Sequence, residues 1–189
     1  MILGLTGYSR VGKDTVADYL VEAYEFEKVA FAAPLKRIVR DTNPILGYDV
    51  RNPGRTIRLQ EALEYLTEDQ VKALYPEYVR LLKMFGTEGV RAEDPDFWVK
   101  AASSQVTDES RNYVFTDVRF PNEAGYIKFA EGGTLWHIDR PGAGGNEHSS
   151  EQWPGYLQED HYIMNDGTVA DLYSQIGDVM EHMAWAGVG

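Results

Sequence analysis

The chain has 189 residues, of which 43% are hydrophobic and 25% are charged, and its formal net charge is -12. This negative charge argues against binding to a nucleic-acid polymer, and the lack of any run of 18 apolar residues argues against a membrane-spanning segment. The chain has no cysteine, which excludes disulfides and thiolate metal sites and favours a cytoplasmic location.

The first stretch of the chain predicts a phosphate-binding loop. Residues 1–6 are apolar, as expected of a buried strand and not of a signal peptide, and the apolar residues of 13–24 recur at helical spacing. Between them lies the pattern G-x-x-x-x-G-K, in which backbone N–H groups surround a phosphate at the start of a helix. The predicted phosphate ligands are Gly7, Ser9, Arg10, Val11, Gly12, Lys13, Asp14 and Thr15.

The motif departs from its usual form at the residue that binds magnesium. Asp14 stands where serine or threonine is usual, and Thr15 follows it. A carboxylate holds Mg²⁺ directly or through water, whereas the Thr15 hydroxyl points about 100° further round the helix. Both residues are therefore candidate metal ligands. The alternative interpretation of the whole stretch is a glycine-rich turn that binds nothing.

The next segments predict a largely helical lobe beside the sheet. A second strand is expected over residues 28–32 and a helix over 33–40, opened by Pro34. Lys36 and Arg37 on this helix are candidates to bind the phosphate of a second substrate, the acceptor, although their spacing alone favours a solvated basic face of the helix. Residues 41–56 contain Asn, Pro and Gly and are expected to be a loop. Short helices are expected over 57–66, 68–75 and 77–85, the second of them capped by Thr67.

Glycines then interrupt the helical pattern, and residues 86–91 are expected to be a loop. Arg91 in this loop is a candidate contact to a phosphate or a base, although a single loop arginine is usually just solvated. A helix is expected to begin with Asp94 as its cap and to run to about Val106. Trp98 in this helix is most simply a core residue.

Two charged residues lie at the end of the predicted third strand, residues 112–118. Ligands of parallel α/β sheets bind at the carboxyl ends of the strands, which is where Asp117 and Arg119 fall. Asp117 would hold Mg²⁺ through water or hydrogen-bond the acceptor, and Arg119 would bind a phosphate with two parallel hydrogen bonds. The alternative is a surface ion pair.

The remaining segments predict a helix over 121–131, strands over 134–139 and 161–164, and a final helix capped by Thr168. A glycine-rich stretch follows Arg140. We expect a lid over about residues 140–158 that brings Arg140 to the transferring phosphoryl group.

Several of these segments together resemble the bacteriophage deoxynucleoside monophosphate kinases, which belong to the adenylate-kinase-like branch of phosphate-loop kinases. The resemblance is carried by the Gly-Lys-Asp-Thr loop, the Ala33-Pro34-Leu35-Lys36 segment, the 86–99 block and the string Asp117-Val118-Arg119-Phe120-Pro121-Asn122-Glu123. It spans residues 1 to about 150 and includes the unusual Asp14.

The resemblance implies an α/β fold: a P-loop NTPase with three α/β/α layers, a central parallel sheet and a helical substrate-binding insertion at about 34–93 within one domain, residues 1–189. It implies transfer of the ATP γ-phosphoryl group to a dNMP with Mg²⁺, catalysed by Lys13, Arg119 and Arg140. It implies acceptor contacts from Lys36, Arg37, Arg91, Trp98, Asp117 and Arg119, and Mg²⁺ near Asp14, Thr15 or Asp117. A phage enzyme of this kind would act in the host cytoplasm, and a homodimer is plausible.

Two other functions stay open from the sequence. The chain would be a phosphate-loop kinase of another small phosphorylated acceptor, such as dephospho-coenzyme A or phosphomevalonate, or a nucleotide-binding regulatory ATPase. The basic residues outside the loop argue against the ATPase, because hydrolysis needs fewer of them.

Overall fold

The computed structural model describes residues 1–52, 54–130, 132–144 and 155–186. Its contacts divide the chain into two compact units, one made of residues 1–31 and 102–189 and the other of residues 32–101. Within the described ranges, no helix has the length and apolar character needed to cross a membrane.

The first unit is built on a five-stranded parallel sheet in the order β2-β5-β1-β6-β7. The strands are β1 (Ile2–Thr6), β2 (Phe26–Val29), β5 (Asn112–Phe115), β6 (Thr134–Asp139) and β7 (His161–Met164). The helices are α1 (Lys13–Tyr24), α8 (Pro121–Phe129) and α9 (Val169–Ala186). β1 lies in the middle of the sheet, where a buried strand is expected, and the predicted bounds of α1, β6 and β7 are confirmed.

Helices cover both faces of this sheet. Alternate side chains of β1 point to opposite faces, and Leu3 and Leu5 are fully buried with residues of α1 and α9. Gly4 faces the other side, where a Cβ would lie 2.7 Å from Leu135 Cδ2 and 3.2 Å from Ile127 Cγ1 of α8. The unit therefore has the expected three α/β/α layers.

The second strand was predicted two residues too late. Helix α1 ends at Tyr24, and the left-handed backbone of the next residue, Glu25 (φ 58°), turns the chain directly into β2 at Phe26. The strand stops at Val29 because Phe31 donates its backbone N–H to the Asp117 carboxylate (2.7 Å) and leaves the ladder.

The second unit contains a hairpin and several short helices. The hairpin pairs β3 (Ile45–Tyr48) with β4 (Thr56–Arg58). The helices are α2 (Ala33–Thr42), α3 (Leu59–Tyr65), α4 (Glu68–Leu74), α5 (Pro76–Lys83), a π-helix (Met84–Val90), α6 (Arg91–Glu93) and α7 (Phe97–Ser103), which ends just beyond the unit.

Three predictions in this region were wrong. Residues 41–56 were expected to be a loop, but they include β3 and the first residue of β4. Residues 86–91 were expected to be a loop, but the helical path continues through them. The helix expected from Asp94 starts at Phe97, because the Asp94 carboxylate accepts the Asp96 N–H in a local turn. The Thr67 cap is confirmed, with both bonds of a capping box to Gln70.

We expect Gly4→Ala to destabilise the protein by about 1–3 kcal/mol, because the added methyl group overpacks the interface between β1 and α8. Urea unfolding monitored by circular dichroism measures this change. Gly47→Ala in β3 is the matched control, because a Cβ there meets no described atom within 4 Å, and its effect should stay within about 0.5 kcal/mol. Equal effects of the two substitutions would contradict the packing described for Gly4.

The Asp160 carboxylate joins three segments near the sheet. It accepts from Lys128 Nζ (2.7 Å) and from the Leu135 N–H (2.9 Å). Burial acts to raise the pKa of Asp160, but these hydrogen bonds outweigh it and hold the pKa below the ordinary value of 3.8. Because the pKa is lower in the folded state, the carboxylate stabilises the protein at pH values above the ordinary pKa. This stabilisation is lost as the pH falls through the folded-state pKa.

Asp160→Asn should therefore lower the free energy of unfolding by about 1 kcal/mol at pH 7. The difference from the wild type should stay constant down to about pH 5 and shrink below pH 4. Urea unfolding at a series of pH values measures it, with the exposed Asp178→Asn in α9 as the control. A difference that grows on acidification would contradict this role of the carboxylate.

Candidate active site

The loop between β1 and α1 has the backbone of a phosphate-binding loop. Gly7 (φ 132°), Arg10 (φ 67°) and Gly12 (φ 104°) all have positive φ angles. A Cβ at Gly7 would lie 2.2 Å from the Ile138 carbonyl oxygen, so the loop backbone needs glycine for both its conformation and its close approach to β6. The loop therefore has the shape that the motif predicts.

The far side of the loop is held by a residue that the sequence analysis missed. Asn165, just after β7, donates from Nδ2 to the Val11 carbonyl oxygen (2.8 Å), and Val11 is fully buried. A Cβ at Gly12 would lie 2.5 Å from the same Asn165 nitrogen. The only sequence signal for Asn165 is its position at the carboxyl end of a strand, where ligands of parallel sheets bind.

Lys13 bridges the loop from inside. Its Nζ donates to the Gly7 (2.8 Å) and Tyr8 (2.6 Å) carbonyl oxygens, and the residue is only 9% exposed. The ammonium group thus lies across the mouth of the loop. A phosphate oxygen that enters the loop meets a cation that the protein has already oriented.

The start of α1 provides the second component of an anion site. Gly12 is the residue before the helix and has no side chain to cap it, so no side-chain cap bond occupies this end. The N–H groups of the first turn and the helix dipole favour an anion at this position. Ser9 and Arg10 are exposed beside it.

Asp14 and Thr15 carry side-chain oxygen atoms in the first turn of α1. Asp14 is exposed and Thr15 is half-buried in the first turn of α1. The described part of the chain contains no group of three His, Cys, Asp or Glu residues that would hold a metal ion. A carboxylate or hydroxyl that acts together with phosphate oxygens and water fits the way Mg²⁺ is usually bound.

Asp117 and Arg119 follow β5, which neighbours β1 in the parallel sheet, so they lie at the same edge as the loop. Asp117 Oδ1 accepts the Phe31 N–H (2.7 Å), and its carboxylate therefore has a structural role at this edge. The Val118 N–H donates to the Leu5 carbonyl oxygen (3.1 Å), which joins this segment to β1.

Glu123 fixes the backbone that carries Arg119. Its Oε2 accepts the N–H groups of Arg119 (2.7 Å) and Phe120 (3.1 Å), and the residue is only 2% exposed at the start of α8. Glu123 ends the Asp117–Glu123 string that carries the family resemblance, but this role of its side chain was not predicted. A glutamate three residues after the N-cap residue, here Phe120, is one half of the capping-box pattern, and Glu123 provides that half by accepting the Phe120 N–H.

Arg140 follows β6 at the same edge of the sheet. A turn closed by the Ala143 N–H and the Arg140 carbonyl oxygen (3.0 Å) follows it. A cavity of about 520 Å³ separates this turn from the exposed side of the phosphate loop and is lined by Ser9, Arg10 and residues 140–144. Of the lid expected over 140–158, residues 145–154 lie outside the described residues.

Lys36 and Arg37 belong to the second unit. Lys36 Nζ lies 3.0 Å from Glu68 Oε1, which also lies 2.9 Å from Lys72 Nζ. Burial acts to raise the pKa of Glu68, but the two lysines outweigh it and hold the pKa below its usual value. Lys72 Nζ also lies 3.3 Å from Asp69 Oδ1, so the two lysines are matched by two carboxylates, whereas Arg37 is exposed.

Arg91 and Trp98 also lie in the second unit. Arg91 begins α6, and its Nη1 donates to the Pro95 carbonyl oxygen (3.4 Å). Trp98 is 3% exposed and donates its indole N–H to the Gly86 carbonyl oxygen (2.8 Å). The structure therefore gives Trp98 the core position that its apolar neighbours indicated, and this burial argues against the direct substrate contact that the resemblance implied.

Comparison with known proteins identifies the family of this chain. The family model described as deoxynucleotide monophosphate kinase matches residues 69–176. A relative described as a putative deoxynucleotide monophosphate kinase, from Acanthamoeba polyphaga mimivirus, is 32% identical over 93% of this chain and 94% of its own length. The deoxynucleotide monophosphate kinase of Enterobacteria phage T4 is 22% identical over 95% of this chain and 98% of its own length.

Among solved structures, a shikimate kinase from Aquifex aeolicus aligns over 98% of this chain and 99% of its own, with a TM-score of 0.49 and 12% identity, a likeness too weak to add to these findings. The family match spans more than half of the chain, and the mimivirus relative spans nearly all of it. The chain therefore belongs to the deoxynucleotide monophosphate kinase family and is a kinase, an enzyme that takes ATP as co-substrate and acts on a small molecule.

Proposed function

We propose that this chain transfers the γ-phosphoryl group of ATP to a deoxynucleoside monophosphate, giving dNDP and ADP. The proposal is carried by one observation: the Lys13 ammonium group lies across a glycine loop at the start of α1, at the sheet edge that also holds Arg119. The family match and the names of the two viral relatives support the choice of acceptor.

The ATP phosphates bind in the loop. The backbone N–H groups of the loop and of the first turn of α1 surround the β- and γ-phosphates, and Lys13 neutralises their charge. The proposed ligands are Gly7, Ser9, Arg10, Val11, Gly12, Lys13, Asp14 and Thr15. Arg140, beside the cavity next to Arg10, approaches the transferring group from the other side.

Mg²⁺ would supply positive charge that neutralises the transferring phosphates. Asp14 or Thr15 would hold it directly or through water, because both provide oxygen donors beside the loop. Asp117 would act through water with the part of its carboxylate that does not bind the Phe31 N–H.

The acceptor monophosphate is proposed to bind through Lys36, Arg37, Arg91 and Arg119. One of its phosphate oxygens attacks the γ-phosphorus, and the bond from that phosphorus to the β–γ bridging oxygen breaks, which releases ADP. The attacking oxygen is already anionic, so no side chain has to remove a proton. The rate therefore depends on alignment and charge neutralisation. The cytoplasmic location and the homodimer stay predictions.

The main test is a coupled ADP-release assay with ATP, Mg²⁺ and each of dAMP, dGMP, dCMP, dTMP and their ribonucleotide counterparts. We expect at least one deoxynucleotide to accelerate ADP release strongly, and Lys13→Ala to reduce that rate by more than about 100-fold. Lys28→Ala is the control, because Lys28 is exposed and pairs with Asp18 on the surface. ADP release that needs no acceptor would point instead to a regulatory ATPase.

Arg91→Ala and Arg119→Ala should each raise the KM for the deoxynucleotide about tenfold or more, because each removes a charged contact to the acceptor phosphate. The KM for ATP should change less. Arg111→Ala is the matched control, because Arg111 precedes β5 at the opposite edge of the sheet and pairs with Glu27. Steady-state kinetics with each substrate varied separately measures these constants, and an unchanged acceptor KM would remove that arginine from the site.

A further inference from the structure

The segment that leads to Arg91 is a π-helix. Helix α5 passes into the π-helix at Met84 without leaving helical backbone angles, and the path continues through Val90 into α6 at Arg91. The wide turns of a π-helix are rare, and where they occur they are frequently at functional sites. A seven-residue π-helix needs contacts with the rest of the unit to hold its shape.

Gly86 provides the closest of these contacts. A Cβ at Gly86 would lie 2.6 Å from Leu35 Cδ2, so the backbone of the π-helix packs directly on α2. On its other side, the Gly86 carbonyl oxygen accepts the Trp98 indole N–H at 2.8 Å, and this bond is buried. The indole is a donor only, and a buried indole needs an acceptor.

This hydrogen bond lies one wide turn before Arg91. A π-turn joins residues five positions apart, which is the spacing of Gly86 and Arg91. The guanidinium of Arg91 also contacts the segment that begins α7, because its Nη1 donates to the Pro95 carbonyl oxygen. Both the backbone before Arg91 and its side chain are thus located relative to α7, the helix that contains Trp98.

The start of α7 is itself held by ionic contacts. Asp94 accepts two hydrogen bonds from Lys100 Nζ, at 2.9 and 3.2 Å, and one from the Asp96 N–H at 3.1 Å. Trp98 lies between Asp96 and Lys100 in sequence. These contacts hold the backbone on both sides of Trp98, and so they help to orient the indole towards the Gly86 carbonyl oxygen.

We propose that Trp98 is a positioning residue for the acceptor phosphate: its indole N–H, bound to the Gly86 carbonyl oxygen, holds the π-helix so that Arg91 faces the monophosphate. The proposal rests on the proposed function, in which Arg91 binds that phosphate. It gives the buried Trp98 an effect on the acceptor without any contact to it.

Trp98→Phe tests the positioning role of Trp98. The substitution keeps an aromatic ring in the core but removes the indole N–H donor and part of the ring system. The KM for the deoxynucleotide should rise about five- to tenfold, whereas the KM for ATP should stay within about twofold of the wild type. Phe97→Leu is the matched control, because Phe97 is 38% exposed and contacts the Trp98 ring edge-on (4.8 Å between centroids). It should leave both constants near their wild-type values.

A double-mutant cycle separates positioning from general destabilisation. In an Arg91→Ala background, Trp98→Phe should change the acceptor KM by less than about twofold, because the residue through which it acts is gone. The same rise in both backgrounds would overturn the proposal, and so would a fall in kcat with no change in the acceptor KM.

Two further measurements keep the test decisive. If Trp98→Phe does not fold, Gly89→Ala perturbs the same π-helix from its exposed side, since a Cβ there would lie 3.0 Å from the Met84 carbonyl oxygen, and the same selective rise is expected. Amide hydrogen exchange over residues 84–91 should be faster in Trp98→Phe than in Phe97→Leu. This exchange measurement does not depend on activity. If no deoxynucleotide stimulates ADP release, only the proposed function is overturned. If exchange over residues 84–91 is equal in the two variants, the role of Trp98 is overturned.

Discussion

The phosphate loop lies so close to the end of β6 that Gly7 has no room for a single methyl group. This contact fixes the entry of the loop, and the bond from Asn165 to the Val11 carbonyl oxygen fixes its exit. The loop is therefore held at the ends of β6 and β7 as well as by the hydrogen bonds of Lys13 to its first residues. A ligand that binds there spends little free energy on ordering the backbone, which is the condition for strong electrostatic binding of a phosphate.

The first unit was largely predictable from sequence because its signals are local and agree with one another. An apolar run, a glycine loop and a helical repeat specify β1, the phosphate loop and α1. Thr168 marks the start of α9, where it forms a reciprocal cap with Asp171. The supports at Asn165 and Glu123 were not predicted, because each is one polar side chain whose partner is a backbone atom that only the folded chain brings near.

The second unit was predicted less well, and glycine is the main reason. Glycine and proline between Asn43 and Arg55 indicated a loop, yet the backbone there pairs as a hairpin. Gly86 and Gly89 indicated an interruption, yet the helical path continues through both, and Gly86 lets the wide helix pack closely on Leu35. The same residue type marks a turn, a bulge or a close approach, and the sequence alone does not distinguish these uses.

The order of strands in the sheet has a consequence for how the chain folds as it is synthesised. β1 is made first, but its neighbours are β5 and β6, and 154 positions separate Val11 from Asn165. The nucleotide-binding motif therefore leaves the ribosome long before the residues that give it its shape. Pairing over such long separations is slow, so the growing chain carries an apolar β1 without a partner for most of its synthesis. β1 is made before the other strands of this sheet, but it is among the last of them to pair with its neighbours.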